Sequence, residues 1–169
     1  MYQFNYIKVK SVEEASIALS NNPEAKILAG GMTLIPTMKQ RLASPEQLID
    51  IRQIEELRFI KLESNNIIVG SVSNHFEVYD SEIIKEHLPA LSRLAENIGD
   101  PHVRNMGTIG GSISNNDPTA DYPAACLGLG AVIKTSKREI EAEDFFIDLF
   151  ETNLEEDEII TQVSFPIIK

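Results

Sequence analysis

The chain has 169 residues, 43% of them hydrophobic and 24% charged, a composition that excludes wholesale disorder and fibrous repeats. Fifteen basic against 26 acidic residues leave a net charge of −11, which excludes a basic nucleic-acid footprint. A single cysteine, Cys126, provides neither a disulfide framework nor a cysteine-ligated cluster within the chain.

Ser11 and Glu14 have the spacing of a capping box ahead of Ala15, Ile17, Ala18 and Leu19, so a helix is expected over about 12–21, stopped by Asn21-Asn22-Pro23. Ala25 to Ala29 reads as a short buried strand running into Gly30-Gly31. Thr33 then caps a helix whose first turn holds Pro36, where a missing N–H does no harm. Leu48 to Ile51 is a returning strand, completing a β-helix-β-helix-β unit of about 50 residues. Arg58 to Glu63 and Asn66 to Val72 are β-prone runs joined at Ser64-Asn65. The helical pattern of Ser81 to Gly99 breaks at Pro89, which predicts two consecutive helices with Gly99 as the closing cap. A short helix over Pro123 to Leu129 follows, with Asp121 or Tyr122 before it. Strands are expected at Ala131 to Thr135, Arg138 to Glu143 and Glu158 to Phe165. The fold class is α+β: a small mixed lobe over 1–55, then a larger lobe on an antiparallel sheet over 56–169.

Charge is uneven. From Lys137 to Lys169 there are ten acidic and three basic residues, −7 of the −11. The run Glu155-Glu156-Asp157-Glu158 reads as a solvated loop, with a docking face for a basic partner as the alternative.

Two glycine segments stand out. The first is Ile27-Leu28-Ala29-Gly30-Gly31-Met32-Thr33-Leu34; the second is Gly107-Thr108-Ile109-Gly110-Gly111-Ser112, followed by Ser114-Asn115-Asn116-Asp117. Paired glycines let backbone N–H groups converge on one anion, and Thr33, Thr108 and Ser112 add hydroxyl donors. One such segment from each lobe suits a pyrophosphate. Neither is a P-loop or a Gly-x-Gly-x-x-Gly fingerprint, and tight turns alone would also explain them. Asp121 is either a helix N-cap or an acceptor for ribose hydroxyls, and Asn115 can both donate and accept there. The histidines at 75, 87 and 102 lack ligand spacing and read as surface or loop residues; no metal site and no catalytic acid or base is assigned. Cys126 reads as a small buried hydrophobe.

Ala29-Gly30-Gly31-Met32-Thr33-Leu34-Ile35-Pro36-Thr37-Met38-Lys39 resembles the first FAD loop of the molybdenum hydroxylase flavoprotein (medium subunit) family. Arg104-Asn105-Met106-Gly107-Thr108-Ile109-Gly110-Gly111-Ser112, with Asn116-Asp117-Pro118 and Ala120-Asp121-Tyr122-Pro123-Ala124-Ala125, resembles the second. The stretch from Thr33 to Ala43 looks closest to the carbon monoxide dehydrogenase-like branch, with xanthine dehydrogenase-type subunits as relatives. The resemblance implies a two-lobed fold of the vanillyl-alcohol oxidase (PCMH) type, shared with a bacterial cell-wall reductase. It implies FAD held at Ile27 to Leu34 and Thr108 to Ser112, with Asn115 and Asp121 as further contacts and Ile160 in a strand beside the cofactor. It also implies an electron-transfer role, in which a molybdenum cofactor and [2Fe-2S] clusters sit on a large molybdopterin subunit and a small iron–sulfur subunit.

Position 32 is Met, where relatives often place His or Gln, and the C-terminal domain of family subunits is expected to be absent after Lys169. Two other readings remain: a stand-alone flavin reductase, and a flavin-free acidic interaction module that keeps the fold. No apolar run approaches the roughly 18–20 residues that span a bilayer, and Met1 to Asn5 lacks the start of a signal peptide. A cytoplasmic location is expected, with peripheral membrane association of a complex left open and no nucleic-acid partner.

Overall fold

The computed structural model describes residues 1–167; positions 168 and 169, the last two of the expected second lobe, lie outside the described residues. β1 (Asn5–Lys8), α1 (Val12–Asn21), β2 (Ala25–Leu28), α2 (Leu34–Lys39) and β3 (Gln47–Asp50) follow in order. β3 lies between β1 and β2 and is parallel to both, which the helical crossovers make possible. Ser11 Oγ accepts from the Glu14 N–H at 3.2 Å, but the Glu14 carboxylate reaches back to Lys10 rather than to Ser11. Thr33 precedes α2 without capping it. Its own backbone is already helical, and the N–H its hydroxyl would bind belongs to Pro36, which has none.

The carboxyl ends of the three parallel strands share one edge, and β2 runs from it directly into Ala29–Thr33. β3 ends at Asp50, which is buried yet charged. Burial pushes the Asp50 carboxyl up, but hydrogen bonds from Arg52 and Tyr6 outweigh it and hold it below the usual carboxylate range. The Arg52 guanidinium approaches to 2.6 Å.

A 3₁₀ turn at Glu55–Leu57 leads to β4 (Ile60–Glu63) and β5 (Asn66–Gly70). Ser64 and Asn65 join them with φ of 49° and 66°, the sense that a two-residue hairpin turn of the primed type requires. Six short helices follow: α3 (His75–Asp80), α4 (Glu82–His87), α5 (Pro89–Asn97), α6 (Pro101–Met106), α7 (Ile109–Asn115) and α8 (Asp121–Gly128). Then come β6 (Val132–Thr135), β7 (Glu139–Glu141), the helical turn α9 (Ala142–Phe145), the hairpin β8 (Phe146–Asp148) and β9 (Glu151–Thr152), and β10 (Ile160–Pro166). The sheet order is β4-β5-β10-β6-β7, antiparallel throughout. Val69, Ile133, Val163 and Phe165 face one core with Leu91, Ile113, Tyr122, Cys126 and Phe145 from the helices. A second core joins the two sheets: Val9, Ala15, Leu19, Ile49 and Ile54 pack with Leu57, Val72 and Ile159.

The structure corrects three expectations. Asp121 is not an N-cap; Ala120 holds that position and Asp121 sits in the first turn of α8. The second glycine segment is not a loop, because Gly110 and Gly111 lie in the first turn of α7, kept helical by packing despite their poor propensity. The acidic run is not simply solvated. Lys137 binds Glu155 and Asp157. Glu158 is fully enclosed against Arg138 and Thr135, whose hydrogen bonds overcome desolvation and lower its carboxyl.

Asn116 closes α7 in the left-handed region at φ 43°. Its side-chain amide donates to the Asp148 and Glu151 carbonyls at 2.9 Å, and its carbonyl accepts from the Phe150 N–H at 3.0 Å. This one residue pins the β8–β9 hairpin. Replacing it with Ala removes two hydrogen bonds and puts a Cβ residue without a compensating amide at positive φ. Urea denaturation of Asn116→Ala is expected to show a loss of about 2–3 kcal/mol, and a loss below about 0.5 kcal/mol contradicts the pin.

Candidate functional site

A cleft of about 700 Å³ opens where the end of β2 meets the start of α7, within the roughly 300–1,000 Å³ range of small-molecule pockets. Of the residues expected from sequence, Ile27, Ala29, Gly30, Gly31, Met32, Thr33 and Leu34 line it from the parallel-sheet side. Thr108, Gly110, Gly111, Ser112, Asn115 and Ile160 line it from the other. Leu28, Ile109 and Asp121 do not. Leu28 alternates inward to pack with Met38 and Leu48, the Ile109 side chain is sealed in the large core, and Asp121 points to solvent just beyond the cleft-lining Thr119 and Ala120.

The glycines have separate physical duties. A Cβ on Gly30 would lie 2.2 Å from the Met106 carbonyl and 2.7 Å from Gly107 Cα; no side chain fits where the two segments touch. A Cβ on Gly110 would meet the Ser71 carbonyl at 2.7 Å. At Gly111 a Cβ would meet the Thr108 hydroxyl at 3.0 Å and Ala29 Cβ at 4.0 Å, so it faces side chains rather than backbone. Gly31 turns the chain with φ 71°.

The hydrogen-bond inventory separates the two segments further. In the first, the N–H groups of Gly30, Gly31, Met32 and Thr33 have no partner among the described residues. They are free to converge on an anion. In the second, the expected backbone nest is already engaged: Ile109 N–H donates to Ser73 O at 3.1 Å, Gly110 N–H to Ser71 O at 2.9 Å and Gly111 N–H to Thr108 Oγ1 at 3.1 Å. The cause is a bridge between Thr108 and Asn74 that docks this segment on the end of β5. What the second wall offers is the hydroxyls of Thr108 and Ser112 and the amide of Asn115.

Sequence reasoning missed several lining residues, among them Ser71, His75, Ile98, Val103, Asp117 and Phe150. Ser71 continues β5, and alternation along that strand could have placed it. His75 had a signal too, because Asn74 and Glu77 form a complete capping box for α3. Contrary to the surface reading, His75 is only 5% exposed. Its ring lies 5.4 Å from that of Tyr122, and burial pulls its imidazole down to about 4. Ser71 Oγ, His75 Nδ1 and the Tyr122 hydroxyl are enclosed without a hydrogen-bond partner.

Comparison with known proteins places this geometry. The family described as FAD binding domain in molybdopterin dehydrogenase matches residues 2–168, and the chain belongs to it. It is 36% identical over 170 residues to the glyceraldehyde dehydrogenase medium chain of Sulfolobus acidocaldarius, covering 98% of this chain and 60% of that one. It is 40% identical over 169 residues to the carbon monoxide dehydrogenase medium chain of Hydrogenophaga pseudoflava, covering 97% and 59%. A solved structure of carbon monoxide dehydrogenase from Hydrogenophaga pseudoflava lacking the Mo-pyranopterin moiety superposes with a TM-score of 0.97 at 39% identity, over 99% of this chain and 60% of that chain. The fold is therefore the two-lobed PCMH type, and the chain spans about 60% of the length of these relatives.

The neutral, buried His75 has a consequence for stability. The unfolded chain takes up a proton near pH 6.5 that the folded chain refuses until about pH 4, so stability is full above 6.5 and falls as pH drops through that window. Urea unfolding from pH 7 to pH 4.5 is expected to show a fall of up to about 3 kcal/mol. His75→Leu should flatten that stretch of the curve; an unchanged slope in the variant contradicts the assignment.

Proposed function

We propose that the cleft binds FAD and that the chain is the flavin-binding portion of the medium subunit of a carbon monoxide dehydrogenase-like molybdenum hydroxylase. In this reading electrons from iron–sulfur clusters on a small partner subunit, originating at a molybdenum cofactor on a large one, pass through the flavin to an external acceptor. One observation carries the proposal: two glycine segments, one following β2 and one opening α7, face one cleft, the first with unengaged N–H groups and the second with the hydroxyls of Thr108 and Ser112.

The residues present fit the cofactor. The N–H groups of Gly30 to Thr33 would hold phosphate oxygens, and the Thr108 and Ser112 hydroxyls face them across the cleft. Ile27, Ile98, Val103 and Ile160 supply apolar wall, which suits a flat aromatic ring system. Asn115 and, from the rim, Asp121 are assigned to the ribose end. The flavin itself supplies the electron-carrying chemistry; the chain binds, orients and shields it. Burial pushes the Cys126 thiol up to about 12, so this side chain is packing and not a ligand or nucleophile. The lobes are divided at 55/56, inside the 3₁₀ turn of Glu55–Leu57. No helix among the described residues is long and apolar enough to cross a membrane, and the chain is assigned to a cytoplasmic complex.

Fluorescence titration tests the assignment. FAD emission is expected to quench on adding the chain, and Gly111→Asp should abolish quenching while circular dichroism stays native, because a Cβ at Gly111 meets only side-chain atoms, the nearest at 3.0 Å, whereas one at Gly110 meets the Ser71 backbone at 2.7 Å. A folded wild type that leaves flavin fluorescence unquenched, or a folded Gly111→Asp that quenches it equally, overturns the proposal.

A further inference from the structure

The second wall of the cleft offers no free backbone donor at the start of α7. Its backbone N–H groups at 109, 110 and 111 are turned into the protein, yet beside them sits an imidazole with one nitrogen enclosed and unpartnered. His75 opens α3, its backbone N–H donates to the Gly107 carbonyl at 3.0 Å, and its ring is braced by Tyr122 on the inner side. A Cβ on Gly107 would lie 2.5 Å from His75 Nε2, so Nε2 is pressed against the Cα of Gly107. That same Cα is the surface on which Gly30 rests. Nε2 thus lies at the seam between the two glycine segments, on a residue that lines the cleft.

The tautomer follows from burial. The ring is neutral, and its one proton belongs to Nδ1 or Nε2. An enclosed donor without a partner is rarer and costlier than an enclosed acceptor. Nδ1 is the enclosed, unpartnered nitrogen, so the proton is placed on Nε2. A fixed N–H donor beside four free backbone N–H groups recognises an oxygen acceptor, and the charge-assisted version of that bond is the strong one.

We infer that His75 is a binding residue of the cleft, donating from Nε2–H to a diphosphate oxygen of the bound dinucleotide. It thereby supplies from the second wall the donor that the α7 backbone does not. The inference rests on the FAD reading of the cleft and adds to it a residue and a ligand atom class. A neutral imidazole suits the task because its donor strength does not depend on solvent access, and its ring is already immobilised before the ligand arrives, so little entropy is lost on binding.

The experiment compares wild type, His75→Leu and His75→Gln with three probes: FAD, ADP-ribose (diphosphate without flavin) and riboflavin (flavin without diphosphate). His75→Leu is expected to weaken FAD and ADP-ribose about tenfold or more and to leave riboflavin unchanged. His75→Gln, which keeps a donor at similar reach, should recover most of the loss. Nitrogen-15 spectra of imidazole-labelled wild type should show a neutral His75 protonated on Nε2, with that resonance shifting on addition of ADP-ribose. Equal weakening of all three probes, no weakening of any, or an Nε2 resonance that does not move overturns the inference while leaving FAD binding intact. If His75→Leu fails to fold, the Nε2 resonance and the Gln variant decide. A wild type that binds neither FAD nor ADP-ribose overturns the FAD reading and this inference with it.

Discussion

Everything about the cleft depends on one close approach: backbone against backbone where Gly30 meets Met106 and Gly107, at a distance that excludes even a methyl group. A parallel sheet ends its strands along one edge, and an antiparallel sheet carries its helices on one face. Joining the two leaves a seam. Here the seam is closed by glycines from both sides, so the N–H groups of one segment and the hydroxyls of the other are brought within a single ligand's reach. The approach also explains why paired glycines recur without a common fingerprint. Gly30 and Gly110 serve contact, Gly31 serves a turn, and Gly111 lies against the Thr108 hydroxyl that caps α7.

Much of this was legible in the residues. The β-helix-β-helix-β opening, the Ser64-Asn65 hairpin, the break at Pro89 and the final strands all announce themselves through caps, turn residues and alternation. The two glycine segments pointed to a shared anion site, and the structure brings both to one cleft. The failures are equally physical. α7 was hidden because two glycines at its start carry the weakest propensity short of proline, and only tertiary packing makes them helical. Helices α3 and α6 were short enough for their periodicity to be lost. His75 looked like a surface residue because nothing local says that Tyr122, 47 positions later, will cover it.

The engaged backbone of the second segment changes how the two walls divide their work. The first wall is preorganised through free amides on a turn. The second is rigid because its amides already serve the fold, and what it shows to a ligand must come from side chains. Polar atoms enclosed without partners are rare in folded proteins and call for an explanation; of the three here, two are on Ser71 and His75, which line the cleft, and the third is on Tyr122, a core residue packed against the His75 ring.

The second hydrophobic core has an effect on how a ligand would come and go. Because Leu57, Val72 and Ile159 are shared with Val9, Ile49 and Ile54, swinging the two sheets apart would expose buried apolar surface along the whole joint. Separating the sheets therefore carries the free-energy cost of wetting that surface. The β8–β9 hairpin, which reaches the cleft through Phe150 and is apolar and exposed at its tip, is by contrast held by the side-chain amides of Asn116 and Asn153, and a local opening there leaves the shared core intact.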